Sequence, residues 1–558
     1  MICCPQQEHG LITQTPLNLH DLHDLVHRAG GVDLLGMLRA RLLGWKDSSP
    51  RALDSHLLFV LTLPKVRSPG GAVESSDVWA FCTSGVIREI GEAVGRWEVR
   101  DNSVGVLIQA DESKVGEGIQ LLPLNVSRAP SRTNLALFNG HEGPAEIPIA
   151  AVGVGALGSQ VLMIAARSAF GRWTLIDDDL LLPHNISRHA AILGPELSGI
   201  GQPKAAIVAG MANGLVEDPD PAVKPMVVDV LDPGAKADEL AEVFRSAGVI
   251  LDMSASVTVA RALAIDVEGG GRRISLFLNP MGDDLVMLAE DRDRRSTLDS
   301  LEMQYYRALL RNEKLGHHLR HSEERIRYGR SCRDVSSKLA QERVALHAAI
   351  GASALRSTLN SDKAAIRVWR VDAESFGVTS VSVSPASAQE FRLGTWTVYM
   401  DSWILGELAN LRRAKLPCET GGILIGTFDL ERKRAYVVDT ISSPLDSEEW
   451  PFSYIRGCVG LERRVEEVVE VTAEQLHYIG EWHSHPEGFG CAPSSADLQA
   501  FAWLAEKMDA DGLPALMLII GSGNRVAPYL GHMVAGQESY QCLDAVCLDA
   551  VSVESNRW

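Results

Sequence analysis

The feature that most constrains the fold of this chain is a short apolar run followed by a glycine-rich loop and a helical pattern. The run covers residues 147–152, the loop Gly-Val-Gly-Ala-Leu-Gly covers 153–158, and the helical pattern covers 159–167. This order is typical of a parallel sheet's strand, loop and helix, where backbone N–H groups and the helix N-terminus hold a phosphate. The sequence therefore predicts a Rossmann-like α/β fold here.

Polar side chains that follow the glycine loop indicate which nucleotide binds. Asp177 and Asp179 come after a second predicted strand, where a carboxylate can meet a ribose hydroxyl. An NAD-binding fold explains these two residues equally well. Asn185, Arg188 and Lys204 lie farther along, and the two cations suit a triphosphate and a developing acyl-phosphate charge better than a dinucleotide. ATP is therefore favoured, and an NAD oxidoreductase is a distant alternative.

This ordered set resembles the ThiF-type adenylyltransferases, the superfamily of ubiquitin-activating enzymes and sulfur-carrier activators. The matching positions are Gly153, Gly155, Gly158, Asp177, Asp179, Asn185, Arg188 and Lys204. The resemblance covers about residues 145–290 and implies ATP and Mg²⁺, with Asp177 on the ribose and Arg188 and Lys204 on the phosphates. Asp252 follows a later strand, but Ala255 stands where the family has a second, magnesium-binding aspartate. Either Asp252 takes the metal, or the domain adenylates poorly, or it only binds.

A second candidate site lies in the C-terminal third. His483 and His485 alternate along a predicted strand, which places both imidazoles on one face. With Asp497 they form a three-ligand zinc set whose fourth position is left for water. Glu419 is the candidate general base, and Ser494 can bind the developing oxyanion or orient the water. A structural interpretation also exists, since Ser494 and Asp497 fit a helix N-cap.

The order of these residues resembles the JAB/MPN (JAMM) metalloproteases, which cut peptide or isopeptide bonds after the C-terminus of ubiquitin-like proteins. The stretch Glu-Trp-His-Ser-His-Pro at 481–486 and the Ser-x-x-Asp at 494–497 match the family's signature, and residues 419–426 match its first strand. The resemblance covers roughly residues 390–535. It implies a zinc cofactor and a deubiquitinase-like activity.

The net charge and the cysteine content limit which classes of partner and which cellular compartment we expect. The net charge of −19 argues against nucleic acid or an anionic membrane as the main partner. The nine cysteines are scattered and show no disulfide framework, and we find neither a signal peptide nor a transmembrane run. We expect a reducing cytoplasm.

Cys332 is the candidate for a thioester, because it lies between Arg330 and Arg333, which can lower the pKa of its thiol. It follows a charged, helix-like region at residues 301–327. An inert cysteine is the structural alternative. Residues 1–140 are less informative: strand-like runs at 57–64 and 78–81 predict a hairpin around residues 68–71, and the module is compatible with a degenerate conjugating-enzyme-like fold.

The sequence thus predicts an α/β multidomain protein with a Rossmann-like ThiF-type domain and an α+β JAB/MPN domain. The expected segments are an N-terminal α+β module at 1–140, the adenylation domain at 141–295, a helical crossover and linker at 296–385, the metalloprotease at 386–540 and a tail at 541–558.

The expected function combines two activities on a ubiquitin-like protein. Its C-terminus would be adenylated and passed to Cys332, and zinc-dependent cleavage would act after the same protein, in a bacterial conjugation pathway of a kind that can serve antiphage defence. Sulfur-carrier activation for cofactor or cysteine biosynthesis is one alternative, and a JAMM protease with a non-catalytic docking domain is another. Expected partners are the ubiquitin-like protein, a conjugating-enzyme-like protein and a second copy of the adenylation domain.

Overall fold

The computed structural model divides the chain into two compact units, Met1–Ala129 and Pro130–Trp558. The described residues are all of 1–558 except 10–13, 49, 102, 128, 193–199, 321–324, 328–334, 338, 373, 534–539 and 545–558. Cys332 therefore lies outside the described residues. Among the helices that the structure describes, none combines the length and apolar character that crossing a bilayer requires.

The first unit is an α+β module on a mixed sheet. The sheet contains β1 (Ile2–Cys3), β2 (Gln7–Glu8), β3 (His56–Val66), β4 (Val73–Val86) and β7 (Leu121–Leu124), and β5 (Trp97–Arg100) and β6 (Ser103–Val106) form a separate hairpin. β3 and β4 form the predicted antiparallel hairpin. The helices are α1 (Leu19–Gly30), α2 (Leu34–Ser48) and α3 (Ile87–Ala93). Leu19, Leu22 and Val26 of α1 are fully buried, at the spacing of one helical face, and join the core with sheet residues such as Phe59 and Leu61.

A parallel sheet opens the second unit after the short helix α4 (Arg132–Phe138). Its strands are β8 (Ala145–Val152), β9 (Phe170–Ile176), β10 (Val223–Met226), β11 (Val249–Asp252) and β12 (Arg272–Leu278), in the order β10-β9-β8-β11-β12. The helices are α5 (Ala156–Arg167), α6 (Lys204–Asn213), α7 (Ala237–Ser246) and α8 (Val257–Ile265). β8 runs through the glycine loop into α5, so the predicted strand, loop and helix are present.

Helices cover both faces of this sheet. Ile149 and Ala151 of β8 belong to one core with α5 and α6, whereas Ala150 and Val152 belong to a second core with α7 and α8. Successive residues of β8 therefore belong to two different cores. Because both faces of the strand are buried, the run 147–152 is apolar throughout and does not alternate with polar residues.

The secondary structure of residues 296–385 differs from the helical crossover and linker that the sequence predicts. They contain β14 (Arg325–Arg327), β15 (Val335–Ser337), β16 (Ala365–Val371) and β17 (Val378–Val383), with β13 (Asp284–Ala289) before them and with helices α9 (Leu298–Arg311) and α10 (Gln341–Leu359). β13, β16 and β17 pair antiparallel and extend the sheet from β12 to eight strands. The helix-like region predicted at 301–327 ends at Arg311. The edge strand of a sheet has unpaired backbone N–H and C=O groups, and these groups can pair with a further strand. This segment therefore extends the nucleotide sheet.

The C-terminal domain is an eight-stranded mixed sheet with three helices. Its strands are β18 (Ala388–Leu393), β19 (Trp396–Asp401), β20 (Gly421–Asp429), β21 (Arg434–Ser442), β24 (His477–Ser484), β25 (Ala515–Ile520), β26 (Val526–Met533) and β27 (Tyr540–Asp544), in the order β18-β19-β21-β20-β24-β25-β26-β27. A separate hairpin joins β22 (Glu448–Trp450) to β23 (Ser453–Ile455). The helices are α11 (Ser402–Lys415), α12 (Leu461–Val471) and α13 (Ser495–Asp509).

Helix α9 is buried between the two sheets of the second unit and joins them through ion pairs. The guanidinium of Arg307 donates to both oxygens of Asp401 at 3.0 and 2.7 Å, and these side chains are only 9% and 8% exposed. Asp401 also caps α11, because its Oδ1 accepts from the N–H groups of Trp403 and Ile404. One carboxylate therefore fixes both the helix start and the contact with α9.

Replacing Arg307 with methionine is expected to lower the free energy of unfolding by about 3–5 kcal/mol, because Asp401 stays buried without its partner. Urea unfolding of the full chain, followed by circular dichroism, measures the loss. Arg463→Met is the matched control: Arg463 pairs with Glu467, and these side chains are 83% and 57% exposed, so a much smaller loss is expected. Equal losses in the two variants would contradict the burial argument.

Candidate metal centre and nucleotide site

Strand β24 carries His483 in the middle of the C-terminal sheet, between β20 and β25. Ser484, the next residue, is fully buried. Its hydroxyl accepts from the N–H of Thr420 at 3.1 Å, and its own N–H donates to the Thr420 carbonyl at 2.7 Å. These two bonds hold Glu419, which precedes Thr420, beside the histidine strand.

The side chains of His483, His485 and Asp497 converge. Asp497 Oδ1 lies 3.3 Å from Nε2 of His483, and Asp497 Oδ2 lies 3.6 Å from Nε2 of His485. The three possible ligand atoms all lie within 4.8 Å of one another. The exposed fractions of the side chains are 13%, 11% and 20%, so the cluster is sheltered but open to solvent.

The donor atoms of this cluster fit a zinc ion. Nδ1 of His485 lies 2.7 Å from the Gly490 carbonyl, so Nδ1 carries the proton and Nε2 is left to bind metal. Nε2 of His483 is buried and makes no hydrogen bond within the described part of the chain. Two imidazole nitrogens and one carboxylate oxygen leave one tetrahedral position open, as catalytic zinc sites require.

The charges of the cluster favour an ionised carboxylate. Burial would raise the pKa of Asp497, but the neighbouring imidazoles of His483 and His485 hold that pKa far below its usual range. Burial works against a protonated His485, yet the neighbouring Asp497 carboxylate raises its pKa overall. The carboxylate is therefore ionised and available as a ligand at neutral pH.

Ser494 and Asp497 also form a helix cap. The Ser494 hydroxyl accepts from the N–H of Asp497 at 3.2 Å, and Asp497 Oδ2 accepts from the N–H of Ser494 at 2.7 Å. This capping box begins α13. The structural interpretation thus holds alongside the metal-binding one, since the cap orients the carboxylate toward the two histidines. Ser494 also lines the cavity that contains the cluster.

Glu419 lines the cavity that contains the cluster. The cavity has a volume of about 740 Å³, and its lining includes Glu419, His483, His485, Ser494 and Asp497. Burial raises the pKa of Glu419, although the two histidines partly offset this effect. A carboxylate with a raised pKa beside a metal-binding cluster suits a group that accepts and returns a proton.

Other residues of this cavity have no motif that identifies them in the sequence. Arg456 donates to Glu481 at 2.9 Å on one wall. Phe452, Phe489 and Trp503 are 74%, 52% and 56% exposed at the cavity. Only the exposure of these aromatic rings after folding shows that they border the site, because an aromatic residue in a sequence is more often part of a core.

The glycine loop at the end of β8 is held tightly. Gly153 has φ +90°, and a Cβ there would lie 2.6 Å from the backbone nitrogen of Ser254. A Cβ on Gly158 would lie 2.2 Å from the Gly153 carbonyl oxygen, whereas one on Gly155 would meet nothing within 4 Å. Gly153 and Gly158 are therefore required by close packing, and Gly155 leaves open space for a ligand.

The predicted nucleotide residues cluster at this loop. Asp177 accepts from the N–H groups of Val154 at 2.6 Å and Asp179 at 2.8 Å, so it orders the loop directly. The Lys204 ammonium lies 2.7 Å from Asp179 Oδ2. The Arg188 carbonyl accepts from the Gln160 side chain of α5 at 2.7 Å. The acidic residues and Lys204 are thus brought to the glycine loop, whereas the Arg188 guanidinium donates to the Leu339 carbonyl at 3.4 Å.

Two predicted residues have local structural roles in addition. Asn185 Oδ1 accepts from the N–H of Leu182 at 2.9 Å and caps a short 3₁₀ turn. Asp252 is 2% exposed and bonds to the hydroxyls of Ser254 at 2.6 Å and Ser275 at 2.9 Å. Burial raises the pKa of Asp252. Its oxygens are therefore already engaged inside the protein.

His189 was not predicted and supports the loop. Its Nε2 lies 2.8 Å from the Val154 carbonyl, and its Nδ1 accepts from the N–H of Ala191 at 3.1 Å. Burial lowers the pKa of His189 to about 4. It is therefore a neutral structural group, and no local pattern distinguishes it from a surface histidine.

Comparison with known families identifies the C-terminal domain. The family of prokaryotic homologs of the JAB domain (Prok-JAB) matches residues 403–533, which include the whole candidate metal centre. The C-terminal domain is a JAB domain. This confirms the JAB part of the family that the motifs predict, and the parallel sheet with its glycine loop confirms the predicted α/β multidomain class.

Two curated proteins are similar to part of this chain. A CD-NTase/cGAS isopeptidase of Enterobacter hormaechei subsp. hoffmannii (strain UCI 50) is 34% identical over 103 residues, which are 18% of this chain and 55% of that protein. A CD-NTase/cGAS isopeptidase of Escherichia coli (strain TW11681) is 33% identical over 111 residues, which are 18% of this chain and 62% of that protein. The chain therefore spans less than two thirds of the length of these relatives.

Two solved structures resemble a larger part of the chain more weakly. E. coli MccB with AMPCPP and selenomethionyl MccA has a TM-score of 0.30 and 14% identity, over 43% of this chain and 64% of that chain. Selenomethionyl PaaA has a TM-score of 0.29 and 17% identity, over 42% of this chain and 63% of that chain. Likeness at this level carries no conclusion about activity.

Proposed function

We propose that the JAB domain is a zinc-dependent isopeptidase that cleaves after the C-terminus of a ubiquitin-like protein. The observation that carries the proposal is the convergence of His483, His485 and Asp497 in one cavity with Glu419. The relatives, whose shared name is isopeptidase, support the bond type.

In this mechanism His483, His485 and Asp497 would hold a zinc ion, which would supply polarisation of the scissile carbonyl and a lowered pKa of the attacking water. Glu419 accepts the proton of that water on its carboxylate and returns it to the leaving amine. The Ser494 hydroxyl donates a hydrogen bond to the oxygen that gains negative charge. The exposed rings at the cavity shield the scissile bond from bulk water.

Metal analysis of His483→Ala tests the metal centre. We expect about one zinc per chain in the wild type and much less in the variant, because one of three protein ligands is lost. Plasma mass spectrometry measures the metal, and cleavage of a ubiquitin-like fusion measures activity in the same samples. His477→Ala is the matched control, since His477 is exposed on the same strand outside the cluster. A metal-free wild type, or equal zinc in both variants, would defeat the assignment.

We further propose that the parallel sheet of the second unit binds ATP and Mg²⁺ and adenylates the C-terminus of the ubiquitin-like protein. The placement of Asp177, Asp179 and Lys204 at the glycine loop supports a nucleotide site. Transfer to Cys332 belongs to this proposal as well. The expected partners remain a ubiquitin-like protein, a conjugating-enzyme-like protein and a second adenylation domain, in the cytoplasm.

A second candidate function is docking without adenylation. Ala255 replaces an expected carboxylate, and Asp252 is buried and bonded to Ser254 and Ser275. ATP–pyrophosphate exchange that depends on a ubiquitin-like protein separates the two functions. No exchange, with cleavage intact, favours docking.

A further inference from the structure

His485 lies one residue beyond the end of β24, which ends at Ser484. Its N–H still donates to the Ile520 carbonyl of β25 at 2.8 Å, and the chain then leaves the sheet for a loop at residues 486–491. The imidazole bonds back to this loop, at the Gly490 carbonyl. The sheet therefore fixes the backbone of His485 only on its N–H side, although the position of its imidazole depends on both sides.

Arg412 of α11 supplies the contact on the carbonyl side. Its Nε donates to the His485 carbonyl at 3.0 Å. One terminal nitrogen donates to Glu487 Oε2 at 2.8 Å, and the other donates to Asn524 Oδ1 at 3.2 Å. The guanidinium thus bonds to two residues at the start of the loop and to one residue of the turn Ser522–Asn524, which lies between β25 and β26.

The loop and this turn are also bonded to each other. The Ser522 hydroxyl donates to Glu487 Oε1, and the Ser522 N–H donates to the Phe489 carbonyl at 2.7 Å. The loop and the turn therefore form one hydrogen-bonded unit, and the metal ligand His485 stands at its entrance.

The burial of Arg412 favours a positioning role over a purely stabilising one. Arg412 is 2% exposed, whereas the side chain of Glu487, the carboxylate that it pairs with, is 64% exposed. Burying a cation is costly, and an apolar side chain of similar volume often gives equal or greater stability at such a position. What an arginine adds is a planar set of donors in fixed directions, which sets the relative position of the groups that accept from it.

We propose that Arg412 is a positioning residue of the metal centre. Its guanidinium holds the backbone of His485 so that the imidazole stays beside His483 and Asp497, where the three side chains can share one ion. The inference rests on the metal centre of the proposed function, but it does not depend on which bond the domain cleaves.

The zinc affinity of Arg412→Met tests the positioning role. Methionine keeps an apolar stem but makes none of the three bonds. We expect the zinc dissociation constant to rise by about 10–100-fold, because removal of a group that orients a metal ligand has an effect of this order. Competition with a chromophoric chelator measures it on the full chain, at a temperature where both proteins are folded.

Arg272→Met is the matched control. Arg272 is 7% exposed and also donates to backbone carbonyls, but its acceptors are at residues 290, 358, 361 and 363, all outside the JAB domain. Its loss should lower the midpoint of thermal unfolding and leave the zinc affinity unchanged. An equal loss of zinc affinity in both variants would overturn the specific role of Arg412.

Co²⁺ in place of zinc gives a spectroscopic readout that a merely structural role would not change. The visible absorption of bound Co²⁺ depends on the number and geometry of its ligands. We expect the same spectrum for the wild type and Arg272→Met, and a changed spectrum for Arg412→Met. Lower thermal stability of Arg412→Met with the wild-type spectrum and zinc affinity would contradict the proposal.

Arg412→Lys decides the question if the methionine variant does not fold. Lysine keeps the charge and the long stem but lacks the planar fork, so we expect a zinc affinity between those of the wild type and Arg412→Met. Wild-type zinc affinity in every folded Arg412 variant overturns the positioning role and leaves the metal centre intact. A wild type that binds no zinc contradicts the metal centre itself, so the two proposals fail on different proteins.

Discussion

Replacing Glu419 with glutamine is expected to lower the rate of isopeptide cleavage by about 10²–10⁴-fold. Glutamine has nearly the same shape but cannot accept a proton from water, so the general base is lost. Because Glu419 lies outside the group formed by His483, His485 and Asp497, the zinc content should stay at the wild-type level. Cleavage of a ubiquitin-like fusion and metal analysis of the same preparation measure the two quantities.

Glu481→Gln is the matched control for this prediction. Glu481 lines the same cavity but pairs with Arg456 and with the hydroxyl of Tyr478. Its loss should change cleavage far less than the loss of Glu419. A Glu419→Gln protein as active as the wild type would remove the proposed base from the mechanism, and a larger defect in Glu481→Gln would transfer the role to that residue.

Replacing Ala255 with aspartate is expected to raise ATP–pyrophosphate exchange by about 10²-fold, since a preorganised charge at a reacting phosphate has an effect of this order. Ala255 is exposed beside the nucleotide loop and has φ +56°. Aspartate adopts this conformation more readily than alanine does, so the change should not strain the backbone. The added carboxylate would supply the second aspartate of the predicted ThiF-type motif, where a magnesium ligand is expected.

Ala255→Asn separates the charge from the backbone effect. Asparagine tolerates the same φ value but is a neutral and weaker magnesium ligand. Exchange is measured with magnesium, ATP and a cognate ubiquitin-like protein. A rise in the aspartate variant alone supports a missing metal ligand. Similar rates in all three proteins would show that adenylation, where it occurs, does not depend on a carboxylate at this position.

The local parts of both sites were predictable because their signals are short-range. An apolar strand, a glycine loop and a helix form one contiguous unit, and Gly153 with its φ of +90° explains why a glycine is needed there. His483 and His485 are two residues apart, and although β24 ends at Ser484, the N–H of His485 still bonds to Ile520 of the neighbouring strand, so extended backbone places both side chains together. Asp497 follows within the same short segment, at a helix start that its own cap specifies.

The residues that were missed interact over long distances in the chain. Arg307 and Asp401 are 94 residues apart, and His189 and Val154 are 35 apart. The pairing of β13, β16 and β17 depends on which sheet edge is open, and no local periodicity records this. For Asp252 the motif suggested a magnesium ligand, but the bond to Ser275, from a neighbouring strand, shows that the carboxylate is engaged inside the fold.

By itself, the sequence predicted the two local motifs, because loop conformation, strand alternation and helix capping depend on neighbours within a few residues. Only the tertiary structure decided that Glu419 shares a cavity with the histidines and that α9 joins the two sheets. These features arise when distant segments pack to bury apolar surface and pair their buried charges, and the partners in such packing are chosen by the whole fold.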